Sequence, residues 1–192
     1  KDSNTGTGNF VDQPVTITIT GSNDAAVIAG TTSGAVVEDS PSNTVSGTLT
    51  ATDVDNSNNV FQAISTPTAS QNGYGTFTIT AGGVWTYSLD NTLAATQGLR
   101  EGQTVTQTYN VLVTDDFGST AAETVTITIN GTNDGPVVNT VIAQKTGSLI
   151  EEGIDATGTA VLGTPIATGQ LSATDVDQSS GLTWTVVGTP SN

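Results

Sequence analysis

The side chains in this chain that could do chemistry are carboxylates and their amide neighbours. The 192 residues include no His and no Cys, which excludes thiol chemistry, disulfides, imidazole bases and zinc clusters built on sulfur or nitrogen. The acids fall in compact groups: Asn23 and Asp24, Asp53 and Asp55, Asp115 and Asp116, Asn133 and Asp134, and Asp175 and Asp177. Glu38 follows the first apolar runs, and Glu101 lies in an Arg-Glu-Gly turn. A hard cation such as calcium takes about six to eight oxygen ligands from carboxylates, carbonyls and amides. In an extended segment residues i and i+2 share a face, so a D-x-D pair directs both carboxylates at one ion. Asp and Asn are also turn residues that bond their own backbone, so each group alone has a structural reading. Repetition favours ligation for the set, since ATDVD occurs at Ala51 to Asp55 and again at Ala173 to Asp177.

The charge balance narrows the partners. Eighteen acidic residues face Lys1, Arg100 and Lys145, for a formal net charge of −15. Phosphate would be repelled, so nucleic acid is excluded as a partner, and an anionic membrane is disfavoured. The surplus has to be dispersed in water, screened by salt or neutralised by bound cations. No apolar span approaches a membrane-crossing length, so no membrane insertion is expected, and no signal peptide is visible. The chain reads as a piece of a longer protein, and its cysteine-free, Thr/Asn-rich composition fits a secreted bacterial surface protein. Paired carboxylates can hydrolyse glycosides when held roughly 5–9 Å apart in a cleft. Here the pairs recur in loops at domain ends, with no serine-elbow motif, and an enzyme is not expected.

The elements that must position these groups repeat. Val15 to Asp24 (VTITITGSND) returns as Val125 to Asp134 (VTITINGTND), an offset of 110 residues, about the size of one β-sandwich domain. Each copy is an alternating strand, a polar acidic joint and a fresh apolar run. This predicts a terminal strand of a preceding repeat over 1–20, a joint at 21–24, and a complete sandwich over 25–130. A second joint follows at 131–134, then the first half of another repeat over 135–192. Within the complete repeat, Val45, Gly47, Leu49 and Ala51 alternate against Ser46, Thr48 and Thr50, a half-buried strand entering the Asp53–Asp55 loop. Val60 to Ile64 is another short run. Tyr74 to Thr80 and Val84 to Asp90, separated by Ala81-Gly82-Gly83, form the clearest hairpin. Trp85 and Tyr87 alternate with Thr86 and Ser88 and are expected in the core rather than in an exposed sugar-binding row. One short helical turn is expected within Thr92 to Leu99. The two ATDVD copies are 122 residues apart, so about twelve extra residues sit in the early loops of the last repeat. That half-module has no opposing sheet for its inner face and should be poorly folded.

These residues resemble known bacterial repeats. Val36-Val37-Glu38-Asp39 followed by Gly47 to Asp55 resembles the cadherin pattern of an early Glu and then G-x-V-x-A-x-D-x-D. Tyr109 to Gly118 resembles the cadherin Y-x-L-x-V-x-A-x-D-x-G strand. Thr126 to Asp134, Tyr87 to Asn91, and Leu99 with Glu101-Gly102 resemble the VCBS repeats of long secreted RTX-type adhesins. The resemblance implies an all-β, Ig-like or cadherin-like Greek-key sandwich in tandem, with Ca2+ at the joints. By that likeness Asp53, Asp55, Asp115 and Asp116 meet Asn23 and Asp24 at one end. Glu38 and Glu101 meet Asn133, Asp134, Asp175 and Asp177 at the other. The joints carry less acid than a cadherin linker, which implies fewer ions in each. The function implied is an extracellular extender module stiffened by calcium, partnered by neighbouring repeats and with lateral self-association between fibres. A carbohydrate- or protein-binding sandwich is the alternative.

Overall fold

A computed structural model describes residues 13–70, 73–141, 146–164, 166–178 and 181–187. The polar opening expected over residues 1–9 lies outside these.

Alternation of Thr or Ser with Val, Ile, Leu and aromatic residues gives strands with one apolar face, and two such faces close into a sandwich. The five-stranded sheet runs in the order β1 (Val27–Gly30), β3 (Thr44–Thr52), β7 (Val84–Leu89), β6 (Gly75–Ile79), β5 (Ile64–Ala69). The four-stranded sheet runs β2 (Ser33–Val37), β9 (Thr120–Asn130), β8 (Thr104–Thr114), β4 (Val60–Phe61). Pairing is antiparallel except between β2 and β9, which run parallel with Ser33 opposite Thr126 and Val37 opposite Asn130. The protein is thus nearly all β, as expected, with one four-residue helix among the described residues, α1 (Ala94–Gln97), where the short turn was predicted.

The predicted hairpin forms, with Ile79 opposite Trp85 and Phe77 opposite Tyr87. Trp85, Tyr87, Phe77, Val113, Val125, Ile127 and Ile129 have no measurable exposure. Phe77 stacks on Tyr109 at 4.2 Å between ring centroids. The Trp85 indole lies between the sheets and donates its Nε1 hydrogen to the Thr31 carbonyl at 2.8 Å, so its polar edge is satisfied. A Cβ at Gly47 would stand 2.5 Å from this ring, which is why β3 carries a glycine at its centre. Burial of each large apolar side chain contributes about 1.5–3 kcal/mol, enough to make this core the rigid platform for the loops at its two ends.

Two local features depart from the sequence reading. The Val60-to-Ile64 run is split between sheets: β4 pairs with β8, whereas β5 pairs with β6. The chain changes layer at Gln62 and Ala63, so one apolar run serves two faces. Pro67 falls on β5, an edge strand, where its missing donor costs no ladder bond. The strand expected around Val15 is not formed; Val15, Ile17 and Ile19 are 82%, 78% and 89% exposed. Alternation sets the pattern of a strand, but pairing requires a neighbour, and this segment finds none among the described residues.

Beyond the second joint the sheets are minimal. β10 (Val137–Val138) pairs with β13 (Ala173–Thr174), and β11 (Gly153–Ile154) with β12 (Ala160–Val161). Leu149, Ile154, Leu162, Ile166 and Trp184 stay largely exposed. β11 and β12 form a short hairpin. Its turn repeats the Asp115 turn: Asp155 Oδ1 accepts from the Thr157 and Thr159 amides at 2.9 Å each, as Asp115 Oδ1 accepts from Phe117 at 2.9 Å and Ser119 at 2.8 Å. Gly118 and Gly158, at φ of 89° and 84°, supply the left-handed residue that this turn needs.

Candidate functional site

The register sends the acidic groups to the two ends of the sandwich. β3 ends in Asp53 to Asp55 beside the entry to β1, and the β8–β9 turn carries Asp115 and Asp116 to that same end. At the opposite end β2 and β9 finish side by side, with the Glu38 amide donating to the Asn130 carbonyl at 2.9 Å. The loop between α1 and β8 lies there as well, since Thr104 pairs with Asn130.

The two joints share three hydrogen bonds. Asn23 Nδ2 donates to the Asp24 carbonyl at 2.8 Å, and Asn133 Nδ2 to the Asp134 carbonyl at 2.7 Å. The Asp24 amide donates to Asp55 Oδ2 at 2.7 Å, and the Asp134 amide to Asp177 Oδ2 at 2.6 Å. The Asp55 amide donates to Asp53 Oδ1 at 2.8 Å, and the Asp177 amide to Asp175 Oδ1 at 2.9 Å. The D-x-D pairs are therefore brought together by a tight turn that folds the first Asp over the second amide. They are not on one face of an extended strand, as simple alternation would have it; the side chain competes successfully with the sheet for its own backbone. Val54 and Val176, between the acids, point outward and are 85% and 61% exposed.

Around that shared frame the joints differ. At the first, Asn23 Nδ2 also donates to Asp115 Oδ2 and Ser119 Oγ, each at 2.8 Å. This hydrogen bond from Asn23, helped by the Ser119, Phe117 and Gly118 amides, holds the Asp115 carboxyl below its ordinary range. Asp116 accepts from Asn58 Nδ2 at 2.6 Å. At the second joint, Glu38 is 1% exposed and accepts from the Thr132 amide at 3.2 Å. Burial pushes its carboxyl above the ordinary range, and Asp134, Asp39 and Asp177 push it further; only the Thr132 amide opposes them. Asp134 is raised too, first by burial, then by a carboxyl contact with Asp39 and the charges of Asp39, Asp177 and Asp175. Asp39 was not singled out from the sequence. Its signal is a φ of 54°, the one left-handed non-glycine residue among those described, which turns it toward the joint. Glu101 is exposed in the Arg100–Gln103 turn and is not among the charges acting on Glu38 or Asp134.

Several buried carboxylate oxygens have no hydrogen-bond partner: Glu38 Oε1, Asp134 Oδ2 and Asp177 Oδ1 at the second joint, and Asp53 Oδ2 at the first. Unpaired buried acceptors are costly, at about 1–3 kcal/mol each and more when charged. Among the described residues no three acids stand as a preformed metal cage. The orphaned atoms are carboxylate oxygens, the donor type that a hard cation takes.

The profile of the bacterial cadherin-like domain matches residues 23–131, more than half of the chain. The chain belongs to the bacterial cadherin-like domain family. The match runs from Asn23 of the first joint to Gly131 of the second and covers the whole nine-stranded sandwich. No curated protein matches the chain. Membership places the cadherin-like module among extracellular or surface structural and adhesion domains. No helix among the described residues is long and apolar enough to cross a membrane.

Proposed function

We propose that this cadherin-like module is a non-catalytic extender in a tandem array, with a calcium ion drawing the two modules together at each joint. The observation that carries this reading is the group of unpartnered, inward carboxylate oxygens at the second joint. Glu38 comes from the complete module, Asp134 from the joint, and Asp177 from the module that follows. Mutual repulsion weakens such a joint, and a divalent cation would offset that repulsion while taking the orphaned oxygens as ligands. Glu38, Asp134, Asp175 and Asp177 would hold the ion at the second joint; Asp53, Asp55 and Asp115 with the Asn23 amide would do so at the first. Binding only to the assembled arrangement stabilises it by mass action. Extracellular calcium modules work in the range of roughly 0.1–1 mM, so the joints of an array of this kind would be held more firmly outside a cell than inside it. The VCBS-like motifs support placement in a long secreted adhesin of the RTX type, with neighbouring repeats as the partners. The sugar-binding alternative requires an exposed aromatic row, and Trp85 and Tyr87 are in the core.

The test is a calcium titration of the full chain, reading stoichiometry by calorimetry, melting temperature, and dimensions by small-angle scattering. Binding with a higher melting point and a longer particle is expected. Calcium acting no differently from an equal ionic strength of sodium would sink the proposal.

A further inference from the structure

Of the three basic residues, Arg100 alone lies between the two joints in sequence, and its side chain reaches into the module that follows. Its Nε donates to the main-chain carbonyl of Asp177 at 2.5 Å. Gly98, on the same loop, faces that turn too: a Cβ there would stand 3.9 Å from the Val176 carbonyl oxygen. The loop is held firmly from behind. The Gln103 amide donates to the Arg100 carbonyl at 2.9 Å, and Leu99 is buried in the core. The Gly131 backbone passes so near that a Cβ would meet the Leu99 and Arg100 carbonyl oxygens at 2.4 and 2.5 Å.

The choice of acceptor is informative. A guanidinium among this many acids would ordinarily pair with a carboxylate. Every charge acting on Glu38 and Asp134 is another acid, and Arg100 is not among them. The arginine grips the D-x-D turn by its main chain and leaves the Asp177 carboxylate to the joint.

We propose that Arg100 is a latch between modules. It docks the Asp175–Asp177 turn of the following module on the base of the one before it, whether or not a cation is bound. The latch rests on the cation reading only in leaving the carboxylates uncompensated; the docking itself does not require an ion.

The absence of cysteine allows spin labels to be placed at Thr108→Cys on β8 and Thr174→Cys on β13 in the full chain, both exposed positions. Double electron–electron resonance then reports the inter-module distance in chelator and in calcium. In chelator the unsubstituted Arg100 is expected to give one narrow distance peak. Arg100→Gln should lower the ratio of docked to undocked modules about tenfold, the scale of a lost charge-assisted hydrogen bond. Arg100→Lys should recover part of it. Arg100 is exposed, so the near-ultraviolet signal of Trp85 and the melting of the complete module should not move. A variant peak as narrow as the unsubstituted one in chelator overturns the latch, as does a broad peak with Arg100 present. If calcium fails to narrow the Arg100→Gln distribution while the chelator difference persists, the cation reading fails and the latch stands.

Discussion

At the first joint Asp115 is met by donors, from the Asn23 amide and three backbone N–H groups; at the second, Glu38 is met by three other acids and one amide. The frame of three hydrogen bonds is the same in both, yet one end of the sandwich welcomes negative charge and the other concentrates it without compensation. The first joint meets an Asp115 turn whose donors orient the joint amide, and the second meets a buried glutamate, Asp39 and the Arg100 loop. In the tandem array proposed above, a joint between two such modules would hold both sets. The lesson is that orientation and charge build-up come from opposite faces: the turn aims the joint, and the buried glutamate gathers acids without donors.

The most forceful way to break this comparison is to remove the platform common to both joints. Trp85→Ala leaves a cavity between the sheets and the Thr31 carbonyl unpaired, and should destabilise the complete module by about 3–5 kcal/mol, measured by chemical denaturation. Both joints should lose ion binding together; retention at either would show that a joint is assembled without the sandwich.

A smaller and more selective effect is expected from the paired substitutions Asp177→Asn and Asp55→Asn. Each should remove one ion from the calorimetric stoichiometry and leave the other. The calcium-dependent stabilisation at the affected joint, about 2.7 kcal/mol at a hundredfold excess over Kd, should vanish with it. Loss of both ions from a single substitution would mean that the two ends are coupled through the core.

The subtlest effect is a change of sign. Glu38→Gln keeps an acceptor for the Thr132 amide but removes a buried charge. It should stabilise the chain in chelator by about 1 kcal/mol and destabilise it by a similar amount in calcium. The pH dependence follows from the same asymmetry. Glu38 and Asp134 titrate above their ordinary values when folded, so their contribution is fully present below those ordinary values and is lost as pH rises through the raised ones. Asp115 is depressed, so its contribution is present above its ordinary value and is lost as pH falls through the depressed one. In chelator, mild acid should therefore favour the second joint and stronger acid should weaken the first. Glu38→Gln should flatten only the former trend, followed by thermal melts across pH. An unchanged melt for Glu38→Gln in both buffers would make Glu38 a passive core residue.

Much of this architecture is legible in the sequence because its physics is local. Strict alternation around Val45, Phe77, Trp85, Val111 and Ile127 dictates strands with one buried face, and Gly-rich punctuation dictates the hairpin. The repeated joints and D-x-D pairs announce two equivalent acidic sites. The cadherin resemblance implies that Asp53 and Asp55 meet Asp24, and the structure joins the Asp24 amide to Asp55 Oδ2. Only the tertiary structure decided the rest. It sets β2 parallel to β9, which brings Glu38 against Asn130 and the second joint, a contact spanning most of the module. It brings Asp39 to the second joint through a left-handed backbone, joins Asp116 to Asn58, and sets Arg100 on the main-chain carbonyl of Asp177. Sequence records which side chains alternate and which motifs repeat. Which acids end up buried without donors depends on how two sheets close and where their loops meet, and no short stretch of chain contains that information.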